Sequence, residues 1–113
     1  MKKTFIFINH ILENIEEIEK FSKDISKKEL FIDKQKQYAI IRAIEIIGEA
    51  VKNLPKEFTQ KYPEVLWKEI VGTRDRLIHH YFGIDLEMIW KIIKEDLPKL
   101  KEEIEKIKTD LEK

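Results

Sequence analysis

Residues 73–82 read TRDRLIHHYF, which places two arginines, an aspartate, two histidines and a tyrosine in ten positions. Each of these groups has a definite chemistry. A guanidinium binds phosphate through a fixed fork of N–H donors. An imidazole can take up and release a proton near neutral pH. Asp75 lies four residues before His79, so on a helix the two share a face. A carboxylate there would accept from one ring nitrogen, fix the tautomer and raise the imidazole pKa, leaving the other nitrogen for proton transfer. Arg74, Asp75 and His79 thus hold the parts for proton transfer beside a phosphate. Each residue also has a plainer reading. Asp75–His79 is equally an ordinary helix-surface pair, Arg74 equally a salt bridge to Glu45 or Glu49, and Tyr81 equally a core residue with a wet hydroxyl. Arg76 and His80 fall on the solvated side. As metal ligands, Asp75, His79 and His80 lack partners to complete a coordination sphere, so no metal is expected.

The element carrying these residues is predicted to be a helix from Glu64 to Phe82. With Ile70 at zero on a helical wheel, Leu66, Leu77 and Tyr81 fall within about 40°, and Trp67, Val71, Ile78 and Phe82 at about 60–120°. Arg74 lands inside that apolar arc, where a buried guanidinium needs an anion, either a protein carboxylate or a bound phosphate. His79 falls about 140° from Arg74, so the two cannot converge on one small ligand from a straight isolated helix. A second copy of the chain, related by a two-fold axis, would supply the missing groups. Gly72 removes side-chain mass near that edge.

The remaining elements follow from periodicity and caps. Ile8, Ile11, Leu12, Ile15 and Ile18 predict a first helix over about residues 4–25. Ser26 and Glu29 have the capping-box spacing, opening a short turn through Phe31. Asp33 is placed to cap a long apolar helix over about 34–53, whose charged residues Arg42, Glu45, Glu49 and Lys52, with Asn53, gather on one stripe. Leu54-Pro55 ends it, and a single helical turn and a loop follow. Gly83 suits a helix stop and Asp85 a cap for a last helix to about Leu111, with Pro98 kinking or breaking it. Leu100, Ile104, Ile107 and Leu111 form a narrow packing seam.

Composition bounds the rest. A length of 113 residues suits one domain, residues 1–113. Twenty-two basic residues balance 22 acidic ones, so no global field attracts nucleic acid or membrane, and attraction to RNA must be local. The absence of cysteine excludes disulfides and thiolate metal sites. Phe5–Ile8 is too short for a signal-peptide core, and no stretch approaches membrane-spanning length. The expected setting is therefore the cytoplasm, without a membrane.

Beyond these residues lies a resemblance. RDRLIHHY matches the R-x4-H-x-Y pattern of the HepT-like toxins of the HEPN superfamily. IRAIEIIGEAVKNLP resembles the family's central helix, and YPEVLWKEIVGTRDRLIHHYFGIDLEMIWKIIKEDLPKL its C-terminal half. The resemblance is strong over residues 38–100 and looser over the first helix. It implies an all-α fold: a HEPN-type antiparallel helical bundle of four to five helices, forming a two-fold homodimer with both motifs lining one cleft. It implies a metal-independent endoribonuclease toxin with Arg74 and His79 as catalytic residues and Asp75 in support. It implies a minimal nucleotidyltransferase antitoxin that silences the toxin by transferring AMP to Tyr81. No cofactor is expected, and ATP enters only as the partner's AMP donor. Two other functions fit the same residues: a non-catalytic accessory subunit that binds substrate for a nucleotidyltransferase, and a purely structural interaction bundle.

Overall fold

The computed structural model describes residues 2–79 and 83–113, with Lys2, Arg74, Ile78 and His79 described by their backbone alone. The chain is mostly helical and measures 43 × 30 × 21 Å. Helix α1 spans Lys2–Ser22. It buries Ile8, Ile11, Leu12, Ile15 and Ile18, the residues that recur at helical spacing, and leaves its glutamates, Lys3 and Lys20 in water. It stops three residues before the predicted end. Asp24 turns to φ 59°, a left-handed conformation that aspartate tolerates better than most residues, and Ile25 still reaches the core.

Helix α2, Lys27–Ile32, opens on the predicted capping box: Ser26 Oγ accepts from Glu29 N, and Glu29 accepts from Ser26 N. Helix α3, Lys34–Lys52, starts where the Asp33 carboxylate accepts from Lys36 N at 3.1 Å. Gln37, buried in its first turns, donates to the Leu30 carbonyl at 2.8 Å and so ties α3 to α2. The predicted polar stripe of α3 is in place. Arg42, Glu49, Lys52 and Asn53 are exposed, and Glu45 is half-buried beside Arg42, 3.9 Å away. The opposite face, with Ile40, Ile44, Ile47 and Val51, is buried against α1 and the later helices.

After Leu54-Pro55 comes the single short helix α4, Lys56–Gln60. Its Phe58 packs its ring on Tyr62 and Trp67, at 5.2 and 6.4 Å between centroids. Helix α5 runs Trp67–Leu77. Two two-residue strands follow, β1 (Ile78–His79) and β2 (Gly83–Ile84). The chain then re-enters helix as α6, Leu86–Lys91, passes through a π-helical turn at Ile92–Asp96, and continues as α7, Leu97–Glu112. The π turn is the form taken by the break predicted at Pro98. Proline has no N–H and its ring crowds the carbonyl four residues back. The helix widens ahead of it, and Leu97 N donates five residues back to Ile92 O.

The predicted seam of α7 is buried at Leu100, Ile104 and Ile107, and half-buried at Leu111. Two polar links dress the α7 surface. Lys101 Nζ meets Glu19 of α1 at 2.9 Å, and this bond raises the lysine pKa. Tyr62 donates to Asp110 at 3.5 Å, and burial followed by that carboxylate raises the phenol pKa. The buried side chains form one cluster dominated by isoleucine and leucine. Each fully buried member contributes about 1.5–3 kcal/mol relative to exposure. Among the described residues, no helix is long and apolar enough to cross a membrane.

Candidate functional site at the end of helix α5

Helix α5 lies across α3, where Gly48 faces the Ile70 carbonyl. A Cβ added at Gly48 would sit 3.8 Å from that oxygen, an ordinary contact, so the helices are close without requiring glycine there. Leu77, the last residue of α5, is buried, while Trp67, Ile70 and Val71 are half-buried. These residues anchor the helix. Leu66 was expected on the same face but is 54% exposed, because α5 starts only after it.

The polar side of α5 is organised by its own backbone. Thr73 Oγ1 donates to the Glu69 carbonyl at 2.6 Å. Arg76 folds back along the helix, donating through Nη2 to the Glu69 carbonyl at 3.3 Å and to Thr73 Oγ1 at 3.2 Å. Arg76 is exposed, as its place on the helical wheel predicts, and so is Asp75. A cavity of about 310 Å³ opens beside this face, between α3, α5 and the α6–α7 unit. Its walls include Ile44, Ile47 and Ile70, with Glu69 and Arg76 at the lip. Among the described residues, no cluster of three or more His, Cys, Asp or Glu could hold a metal ion.

The main departure from expectation concerns where α5 stops. The helix was predicted to continue to Phe82, but it ends at Leu77. His79 therefore stands in β1, two residues past the last helical residue. Ile78 pairs with Ile84 and His79 with Gly83, antiparallel. Gly83 has φ +85°, a conformation available to glycine without a Cβ penalty. The Leu77 carbonyl accepts from Asp85 N at 2.8 Å, which satisfies a group that a helix end otherwise leaves open. The Asp85 carboxylate accepts from Met88 N at 3.1 Å and caps α6, as predicted.

This revises the geometry assumed for the motif. Asp75 and His79 are not neighbours at i and i+4 on one helix, because the helix ends between them. The separation of about 140° between Arg74 and His79 held only for an unbroken helix. Arg74 is a residue of α5 and His79 a residue of β1. Tyr81 and His80, with Phe82, lie outside the described residues, as do the side chains of Arg74 and His79. What the helical reading missed is the backbone partnership of Gly83 and Asp85 with the end of α5. Its signal in the sequence was the run of β-favouring aromatics into Gly83, followed by a capping aspartate.

The family model described as ribonuclease HepT-like matches residues 11–107. The chain belongs to this family of ribonucleases. A Methanocaldococcus jannaschii protein named "Gamma-glutamylcyclotransferase and putative RNase" is 54% identical over 112 residues. That match covers 99% of this chain and 50% of the relative, so the chain spans half that protein's length. A Thermococcus cleftensis protein named as a probable ribonuclease HepT is 48% identical over 95 residues, 84% of this chain and 86% of its own. A Caldanaerobacter subterraneus subsp. tengcongensis protein named "Putative RNase" is 45% identical over 103 residues, 91% of this chain and 92% of its own. No solved structure matches the chain significantly. Membership of the family assigns the chain to the nucleases that act on RNA.

Proposed function

We propose that this chain is an endoribonuclease toxin that cuts RNA by driving a 2′-hydroxyl onto the adjacent phosphate. The reaction needs a base for the hydroxyl, an acid for the leaving 5′-oxygen, and positive charge on the pentacoordinate phosphate. His79 of one protomer takes the first proton and His79 of a second gives one to the leaving oxygen. The two Arg74 guanidinium groups hold the phosphate, and Asp75 is the motif's supporting residue. The products are a 2′,3′-cyclic phosphate and a free 5′-hydroxyl. The scheme uses no cofactor, and its setting is the cytoplasm.

The observation that carries this reading is the family match, which spans the whole motif, with Arg74 on α5 and His79 just past the helix end. A second observation supports a body approaching α5 from outside. Gly72 sits mid-helix, where glycine costs about 1 kcal/mol relative to alanine. Among the described residues nothing lies within 4 Å of where its Cβ would be. A second protomer or an RNA strand passing there would account for the missing side chain.

The same reading gives the toxin a restraint. A minimal nucleotidyltransferase antitoxin transfers AMP from ATP to Tyr81, adding bulk and negative charge where the substrate phosphate must sit. Expression alone is expected to arrest growth, and Arg74→Ala to relieve the arrest. Arrest that persists in the variant, or none in the wild type, would speak for an accessory or structural role. With the nucleotidyltransferase and ATP, mass spectrometry is expected to find AMP on Tyr81. An adduct on another residue would refute that part.

A further inference from the structure

We propose that Asp85 is a positioning residue for His79, acting through a backbone clasp between the end of α5 and the start of α6. The proposal rests on the reading of His79 as a catalytic residue and deepens it.

The clasp has three parts. The Leu77 carbonyl accepts from Asp85 N at 2.8 Å, pinning together the two ends of residues 78–84. Inside that closure, His79 is paired with Gly83 and Ile78 with Ile84. Gly83 closes the ladder at φ +85°. Outside it, the Asp85 carboxylate accepts from Met88 N, which binds the same residue to α6. That helix is anchored by Ile89, which is fully buried, and α5 is anchored by Leu77, which is 1% exposed. One aspartate therefore joins two core-anchored helices, with His79 in the strand pair beside the join.

A two-residue ladder cannot hold itself in water, since even an isolated hairpin is marginal. The backbone of His79 is thus fixed by the Leu77–Asp85 bond, and that bond depends on Asp85 keeping its place at the start of α6. Removing the carboxylate removes the cap, leaves the Asp85 backbone held by its bonds to Leu77 O and from Ile89 N, and so loosens the strand pair that contains His79. A misplacement of about 1 Å in a catalytic group costs about 100-fold in rate.

The test is steady-state RNA cleavage by the intact chain, comparing wild type, Asp85→Ala, Asp85→Asn and Asp85→Ser. Asp85→Ala is expected to lower kcat about 10- to 100-fold with KM within about twofold, in a chain that keeps its helical circular dichroism. Asn and Ser both cap helices, so those variants are expected to recover most of the rate. Should Asp85→Ala fail to fold, Gly83→Ala opens the same clasp from the other side and is expected to show the same split. Wild-type kcat in Asp85→Ala overturns the proposal. So does equal loss in Asp85→Asn, which would make the negative charge the active feature, or a loss confined to KM. His79→Ala, run in parallel, separates this from the functional reading: cleavage equal to wild type removes His79 from the chemistry. The clasp is then judged by the His79 amide resonance in labelled protein. It is expected to shift in Asp85→Ala and return in Asp85→Asn, and an unmoved resonance refutes the clasp.

Discussion

The face shared by α1 and α3 and the far end of α5 are built on opposite terms. The first is a dry interface of isoleucines: Ile8, Ile11, Ile15 and Ile40 have no exposed surface. Its few buried polar side chains include Ser22 and Gln37, which donate to the Ile18 and Leu30 carbonyls, and Ser26 and Asp33 at the nearby helix caps accept from backbone N–H groups. The second carries five charged or hydroxyl residues within eight positions, Glu69, Thr73, Arg74, Asp75 and Arg76, on a helix that stops after eleven residues. Thr73 and Arg76 bond to the helix backbone and to each other. The contrast teaches that stability and chemistry are held in different places. The α1–α3 face fixes where α5 lies, and the end of α5 is left polar and lightly held, stabilised by a clasp of a few hydrogen bonds.

That division can be broken from the stable side. Ile15→Ala removes a fully buried side chain from α1 and is expected to cost about 2–5 kcal/mol of unfolding free energy. Urea denaturation followed by circular dichroism would measure it. A cost below 1 kcal/mol would mean that the core is looser than its burial indicates. The end of α5 sharpens the comparison from the other side. Gly72→Ala meets no described atom and is expected to stabilise the isolated chain by about 0.5–1 kcal/mol. The same variant is expected to lower RNA cleavage or dimer formation if a second body approaches there. A more stable chain with undiminished cleavage would leave Gly72 without a functional role.

The smallest effect is one of pH. Tyr62 and Lys101 both have pKa values raised in the folded chain, by burial with Asp110 and by the bond to Glu19 respectively. A raised folded pKa means that the folded state holds its proton more tightly than the unfolded chain. The associated stability is therefore complete below the ordinary values near pH 10 and is lost as pH rises through the folded ones. Thermal midpoints are expected to fall slightly above about pH 10, and less so in Lys101→Met. An unchanged slope in that variant would show that the α1–α7 link contributes nothing there. Both groups lie largely at the surface, so screening keeps the effect small.

The two regions also differ in how far the sequence discloses them. The helices α1 and α3, the Ser26 box, the Asp33 and Asp85 caps and the α7 seam all follow from local rules, namely apolar spacing and a cap within four residues. The end of α5 does not. Leu77 and Tyr81 continue the helical period on paper, and the aromatics and Gly83 that follow oppose it only weakly. The strand state of Ile78 and His79 depends on partners at Gly83, Ile84 and Asp85. Such pairing is visible only when both segments are considered together. Pro98 announced a break but not its form, a π turn over Ile92–Asp96. The motif residues Arg74 and His79 were legible as types at a spacing. That one belongs to the helix and the other to the strand was not.

The central claim is that His79 moves protons while RNA is cut. Purified wild type and His79→Ala should be incubated with a labelled RNA in EDTA and the end groups of the products identified. The account predicts fragments ending in 2′,3′-cyclic phosphate from the wild type and a rate at least about 100-fold lower from the variant. Equal cleavage by the two, or wild-type products ending in a 3′-hydroxyl, would contradict it.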